Sequence, residues 1–296
     1  MLTAYTTRVQ RRLGVRPAIA LVFPLLLFDL LVFVVPFGYL LRMSLHARQA
    51  TRAYATGTWS LSGYRYLLEP SNTVAETFVF TLGFATVVTT LSVVVATLYA
   101  YAMWRTAGVV RVGLTAGALT SMFTAIVVKL FAAVLIYAPN GVVNTALLST
   151  GVLAEPLTLV NNGVGAVIGQ LYIVVPYSIF AVYAVLSTID ESLVEAARDL
   201  GANSPRAFRE VAVPHAVPGV IVAGVISFTW SLGAYAAPLL LGSGSERTAG
   251  ILLSDLLLRD FDWSAAAALG VVITMTVLTA IATTQAVLRR RSGDDT

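Results

Sequence analysis

Six stretches of this 296-residue chain, 18–41, 75–103, 108–138, 159–189, 217–241 and 263–288, stay apolar over a length that crosses about 30 Å of hydrocarbon as a helix. In lipid every backbone N–H and C=O must find its partner inside the protein, so only helices and closed barrels span a bilayer. These runs lack the period-two alternation of barrel strands. The expected fold class is therefore all-α: a polytopic membrane protein of six transmembrane helices, forming one domain over residues 1–296. Charged residues make up only 11% of the chain, which leaves no material for a sizeable soluble domain. Any module that converts chemical energy must be a separate polypeptide.

Arg8, Arg11, Arg12 and Arg16 precede the first run, which is longer than the apolar segment of a secretory signal and ends without a small-x-small cleavage site. It reads as an uncleaved first span. Placing the N-terminus in the cytoplasm puts about 12 basic residues inside and about 6 outside, the bias that sets orientation. An even number of spans then brings Arg289, Arg290 and Arg291 to the same side. The expected location is the cell (inner or plasma) membrane, multi-pass, with both termini cytoplasmic. The first external loop runs against the bias, with Arg42, Arg48, Arg52 and Arg65. Because the arginine clusters flank apolar runs, the basic balance points to membrane orientation and not to nucleic acid.

Cysteine is absent, which excludes disulfides, thiolate metal sites and thiol catalysis. A Walker phosphate loop needs a glycine-rich turn followed by lysine, and the only lysine, Lys129, stands inside the third apolar run. Gly242-Ser243-Gly244-Ser245 is glycine-rich but leads into Glu246 and Arg247 with no strand before it, and reads as a flexible external loop. HExxH and GxSxG arrangements are missing too. No catalytic residue, metal site or cofactor is expected.

The long polar interruption at 190–216 lies between the fourth and fifth spans. Asp190 can cap a helix whose start carries Glu191, and Leu193, Ala196, Ala197 and Leu200 then share one face at i, i+3, i+4 and i+7. Gly201 stands where a left-handed cap residue is wanted, and Ser204-Pro205 has the order that opens a second helix. About two to six residues would be enough to join two spans. Two short helices meeting at a sharp turn suggest a surface built for a soluble partner.

Glu195-Ala196-Ala197, Gly201 six residues after the glutamate, and Val211, Val213 and Pro214 resemble the EAA loop of inner-membrane permease subunits of binding-protein-dependent ABC importers. Valine replaces both of the usual aliphatics before the proline. Asp199-Leu200-Gly201-Ala202, Phe208, Pro218-Gly219, Asn140-Gly141-Val142-Val143-Asn144, Ser231-Leu232-Gly233-Ala234-Tyr235 and Pro238-Leu239-Leu240-Leu241-Gly242 are similar to the spermidine/putrescine-type branch. That branch often has an acidic residue where this chain has Ala234. The resemblance implies the type I ABC importer permease fold and a transport subunit, not an enzyme. Its implied partners are a second permease subunit (a homologue or a second copy), a cytoplasmic ABC ATPase dimer that hydrolyses the ATP, and an extracytoplasmic solute-binding protein. It implies that 190–216 is a cytoplasmic coupling loop, with Glu195, Ala196, Ala197, Asp199, Gly201 and Ala202 at the ATPase contact. The solute it implies is small and polyamine-like or otherwise nitrogen-containing; relatives on the same framework carry iron, thiamine or aminophosphonates. The rival from another class is a secondary transporter or channel, which would use ionisable relays in corresponding halves.

Two ionisable groups sit within spans, Asp29 and Lys129. Such groups are costly there, and either line the translocation path or pair with each other, a partner chain or an interfacial water. Trp230 and Tyr235, beside the Ser-Leu-Gly motif, are candidates for the same path, as are Tyr172 and Tyr177; the alternative for each is packing. Gly113 with Gly117, and Gly165 with Gly169, have the spacing that allows close helix approach. Trp104 and Trp263 fall at the depth indole rings favour, the headgroup boundary. Ile251, Leu252, Asp255, Leu256 and Arg259 predict a short amphipathic helix at the outer surface.

Overall fold

The computed structural model describes residues 17–49, 57–70, 73–189, 199, 203, 206 and 208–293. Regular structure among them is helical: α1 (Pro17–Asp29), α2 (Val35–Ser44), α3 (Ser62–Leu68), α4 (Val74–Arg105), α5 (Gly108–Phe123), α6 (Ile126–Tyr137), α7 (Val142–Ser149), α8 (Gly163–Leu186), α9 (Val213–Leu232), α10 (Ala236–Leu241), α11 (Ala249–Leu258) and α12 (Trp263–Gly293). Six helical stretches are long and apolar enough to cross a membrane: Val22–Ser44, Val74–Arg105, Ile126–Ser149, Gly163–Leu186, Val213–Leu232 and Trp263–Ala286. Two of the apolar runs are interrupted. Thr124 and Ala125 take extended backbone between α5 and α6, and the fifth run stops at Gly233 before restarting as α10.

Proline explains two further irregularities. A proline lacks the N–H that an α-helix uses, and its ring collides with the carbonyl four residues earlier. Ahead of Pro36 the backbone widens into a π turn over Leu30–Val34, where the Val35 N–H reaches back five residues to the Leu30 carbonyl. Ahead of Pro214 the same widening occurs over Phe208–Ala212. In both cases the carbonyl in conflict, Val32 or Glu210, lies within the wider turn, which draws it away from the ring.

α4, α8 and α9 pack against one another to form the core. Midway along them Ser92, Ser178 and Ser227 close a ring of hydrogen bonds, with oxygen separations of 3.0, 2.8 and 3.0 Å. All three are fully buried. Each hydroxyl both gives and accepts, so three polar groups are satisfied in a place without water. α5 and α6 flank α8, α10 wedges between α6 and α8, and α11 lies against α12 and α4. The first span stands outside this core: residues 22–36 are all exposed, and α2 joins the bundle through α12.

α11 receives its N-terminal cap from another helix. The Ala249 N–H donates to Thr81 Oγ1 of α4 at 2.8 Å, while that hydroxyl donates to the Thr77 carbonyl at 2.6 Å. Thr81→Val keeps the shape but removes the acceptor, stranding a buried N–H, and is expected to cost about 1–3 kcal/mol. A thermal melt of the purified chain in detergent checks this; an unchanged midpoint would show that the cap contributes nothing.

Candidate functional site

Two places concentrate polar chemistry: the end of the bundle where 190–207 leaves and returns, and the break in the fifth apolar run. Of the coupling residues expected from sequence, Glu195, Ala196, Ala197, Gly201 and Ala202 lie outside the described residues; Asp199 is helical and exposed. On the returning flank the Asn203 side chain accepts from the Arg206 N–H at 3.0 Å, and Arg206 pairs with Glu210 at 3.0 Å one turn on. Phe208 then meets Tyr101 of α4 edge-on, centroids 4.5 Å apart. Ala212 and Ala216 are buried with Ala100, Met103, Trp104 and Leu186. One turn further, a Cβ on Gly219 would lie 2.9 Å from both the Ala181 oxygen and the Val182 Cα, so α9 meets the backbone of α8 directly. The segment entering α9 is thus fastened to α4 and α8 together, and displacement of one carries the others.

The break opposite leaves carbonyls without their helical partners, and side chains from other helices supply the donors. Pro176 cannot donate to Tyr172 O, which faces Lys129 Nζ of α6 at 3.4 Å. Pro238 cannot donate to Ala234 O, which accepts from Thr248 Oγ1 at 2.6 Å. Trp230 O, freed because α9 stops at Leu232, faces Gln170 Nε2 at 3.4 Å. Irregular backbone at membrane depth persists only with such partners. Gly250 lets α11 reach the same break, since a Cβ there would sit 2.5 Å from Ala234 O.

Beside the break opens a cavity of about 500 Å³, lined by Tyr235 together with α10, the 242–247 turn and α11. That volume is in the range of small-molecule sites. Its charged lining is Arg247, Asp255 and Arg259; Asp255 is paired with Arg247 through one oxygen and with Arg259 through the other, the latter at 3.1 Å. The 242–245 turn, read from sequence as flexible, is closed by Glu246, whose Oε2 accepts from Ser243 N–H and Ser243 Oγ, each at 2.8 Å.

The expected path residues do not form one cluster. Tyr235 is 43% exposed and lines the cavity. Trp230 is half-exposed and stacks on Tyr177, centroids 5.6 Å apart. Tyr172 and Tyr137 join hydroxyls at 3.0 Å. Lys129 is only 7% exposed, in the α6–α8 groove, with no acidic partner among the described residues. Asp29 is exposed on the outlying first helix, so the two do not pair with each other.

Three other sequence expectations change. Trp104 is 5% exposed and packs among core side chains, so its ring faces protein. Gly165 and Gly169 mark a close approach, the former 2.6 Å from Leu241 O by its virtual Cβ, whereas Gly113 has open space beside it. The amphipathic helix exists as α11 but is built into the bundle, with Leu252, Asp255 and Leu256 buried. The serine ring escaped the sequence reading because isolated serines in apolar runs carry no spacing signal.

A family model described as "Binding-protein-dependent transport system inner membrane component" matches residues 109–292. The chain is similar to the spermidine/putrescine transport system permease protein PotB of Haemophilus influenzae, 31% identical over 141 residues, 47% of this chain and 49% of that one. It is also similar to the inner membrane ABC transporter permease protein YdcU of Escherichia coli, 32% identical over 197 residues, 62% of each. The matches thus span about half and about three fifths of those relatives' lengths. Among solved structures, a bacterial alginate ABC transporter in complex with an alginate pentasaccharide-bound periplasmic protein superposes with a TM-score of 0.73 at 18% identity, covering 92% of this chain and 93% of that one. At that identity the likeness concerns the fold.

Proposed function

We propose, because this chain belongs to the family of binding-protein-dependent transport system inner membrane components, that it forms half of an ATP-driven import pathway. The family membership and six helices long and apolar enough to cross a membrane support a multi-pass inner-membrane permease subunit of an ABC importer, a transport component. In the finer reading, loop 190–216 faces the cytoplasm and docks on a separate ATPase dimer through Glu195, Ala196, Ala197, Asp199, Gly201 and Ala202. A second permease, identical or related, completes the pathway, and an extracytoplasmic solute-binding protein delivers the solute. The observation that carries the mechanical part is the locking of the returning flank to α4 and α8 through Phe208, Ala212 and Gly219. An ATPase that closes moves the loop, and the loop moves three core helices as a block, alternating access between the two faces.

The similarity to PotB supports a polyamine-like or other nitrogen-containing solute; iron, thiamine and aminophosphonate are the alternatives within the same type of permease. Trp230 and Tyr235 offer aromatic faces that favour a cation, and Asp29 and Lys129 remain the ionisable candidates within the spans. Proteoliposomes holding the full importer test this: ATP on the loop side should drive accumulation of solute supplied with the binding protein on the other. Uptake that proceeds undiminished without ATPase or ATP would favour a secondary transporter or channel instead.

A further inference from the structure

We infer that the cavity beside Tyr235 is a binding site for an anionic oxyacid group, a carboxylate or phosphonate, held by Arg247 and Arg259. Its lining carries two guanidiniums against the single carboxylate of Asp255, so the cavity keeps one unit of positive charge when Asp255 is satisfied. Arg259 is 77% exposed on its side chain and Arg247 43%, whereas Asp255 is 12%; the carboxylate sits behind and the guanidiniums in front. A guanidinium has five N–H donors in a planar fork, and one contact to Asp255 leaves the remaining donors for a ligand. The hydroxyls of Tyr235 and Ser254, both in the lining, bond to no described residue and add two neutral donors.

This donor set disfavours a bare polyamine, because two arginines repel an ammonium and the one carboxylate is already claimed from both sides. It fits a solute that carries an acidic group, with its amine over the Tyr235 ring. The inference rests on the importer reading for the path this solute takes, and narrows its solute to an amine bearing an oxyacid. The same anionic chemistry could come from an acidic side chain of the solute-binding protein.

The first test is a titration of the purified full-length chain in lipid nanodiscs, without ATPase or binding protein, so that it stands or falls apart from the importer reading; a second experiment adds the solute-binding protein and reads cross-linking to it. The probes are 2-aminoethylphosphonate, γ-aminobutyrate and putrescine at fixed ionic strength. The two acidic amines should bind and putrescine should not. Arg259→Gln should weaken the acidic amines about tenfold, the loss of one charge-assisted contact. Asp255→Asn should strengthen them, because it frees both arginines. Opposite signs in the two variants are the mark of a site, since an ion network serving stability alone would weaken in both. Absence of anion binding by the small probes, with Arg259→Gln abolishing cross-linking to an acidic face of the binding protein, would assign the arginines to that source. Putrescine binding as tightly as γ-aminobutyrate, or equal affinity in wild type and Arg259→Gln with no change in cross-linking, overturns the inference.

Discussion

Gly219→Leu should prevent the chain from accumulating in a folded form. The first atom of the new side chain would stand 2.9 Å from the Ala181 oxygen and the Val182 Cα. Both belong to backbone, so no rotamer relieves the clash and α9 must move off α8. Overpacking typically costs about 1–3 kcal/mol and occasionally more, and here the displacement also prises apart the cluster holding Ala212, Ala216 and Leu186. Gly224→Ala in the same helix is the control, since its Cβ would meet only the side chains of Val93 and Thr89, at 3.9 and 4.0 Å. That variant should melt within about 0.5 kcal/mol of the parent. Size-exclusion profiles and thermal melts in detergent separate the two; equal behaviour would show that the α8–α9 approach is not tight.

Much of this architecture was legible in the sequence because lipid permits so few backbone solutions. Length and apolarity alone indicated six membrane-crossing stretches, although the third, expected over 108–138, breaks at Thr124 and the candidate span there is Ile126–Ser149; the proline before the fifth span marked where the loop rejoins the bundle. The interruptions were less legible. The stop at Gly233 and the restart at Ala236 lie inside an unbroken apolar run, and what makes the break tolerable is donated from elsewhere: Thr248 to Ala234 O, Gln170 to Trp230 O. Such tertiary partners, distant in sequence, leave no local periodicity. For the same reason the packing of Trp104 was not legible: it is buried with Ala212 and Ala216 of the returning flank. Asp255 and Arg259 were visible as the polar side of a short helix, but the cavity they share with Tyr235 depends on how α10 and α11 pack, which no spacing rule encodes.

Ala197→Trp should leave folding intact and abolish transport. The alanine belongs to the small-residue face of the proposed docking helix, and a groove shaped for a methyl group cannot admit an indole without losing its close contact. The loss expected for a residue at the centre of an interface is about 3 kcal/mol, roughly a hundredfold weaker docking. Gly201→Arg should act in the same direction by stiffening the turn. Thermal melts of the isolated chain should be unchanged for both. Co-purification with the ATPase and ATP-dependent uptake should fall together. Loss of uptake with ATPase still bound in full would move the defect from docking to the path.

The chain contains no cysteine, so Ala197→Cys creates a single thiol whose side of the membrane and neighbours can be read without background. A membrane-impermeant maleimide should fail to label it on intact spheroplasts, label it in inside-out vesicles, and be blocked there when the ATPase is present. Labelling from the outside of intact cells, or labelling in inside-out vesicles that the ATPase leaves untouched, would contradict the assignment of 190–216 as the lever through which a separate motor drives this permease.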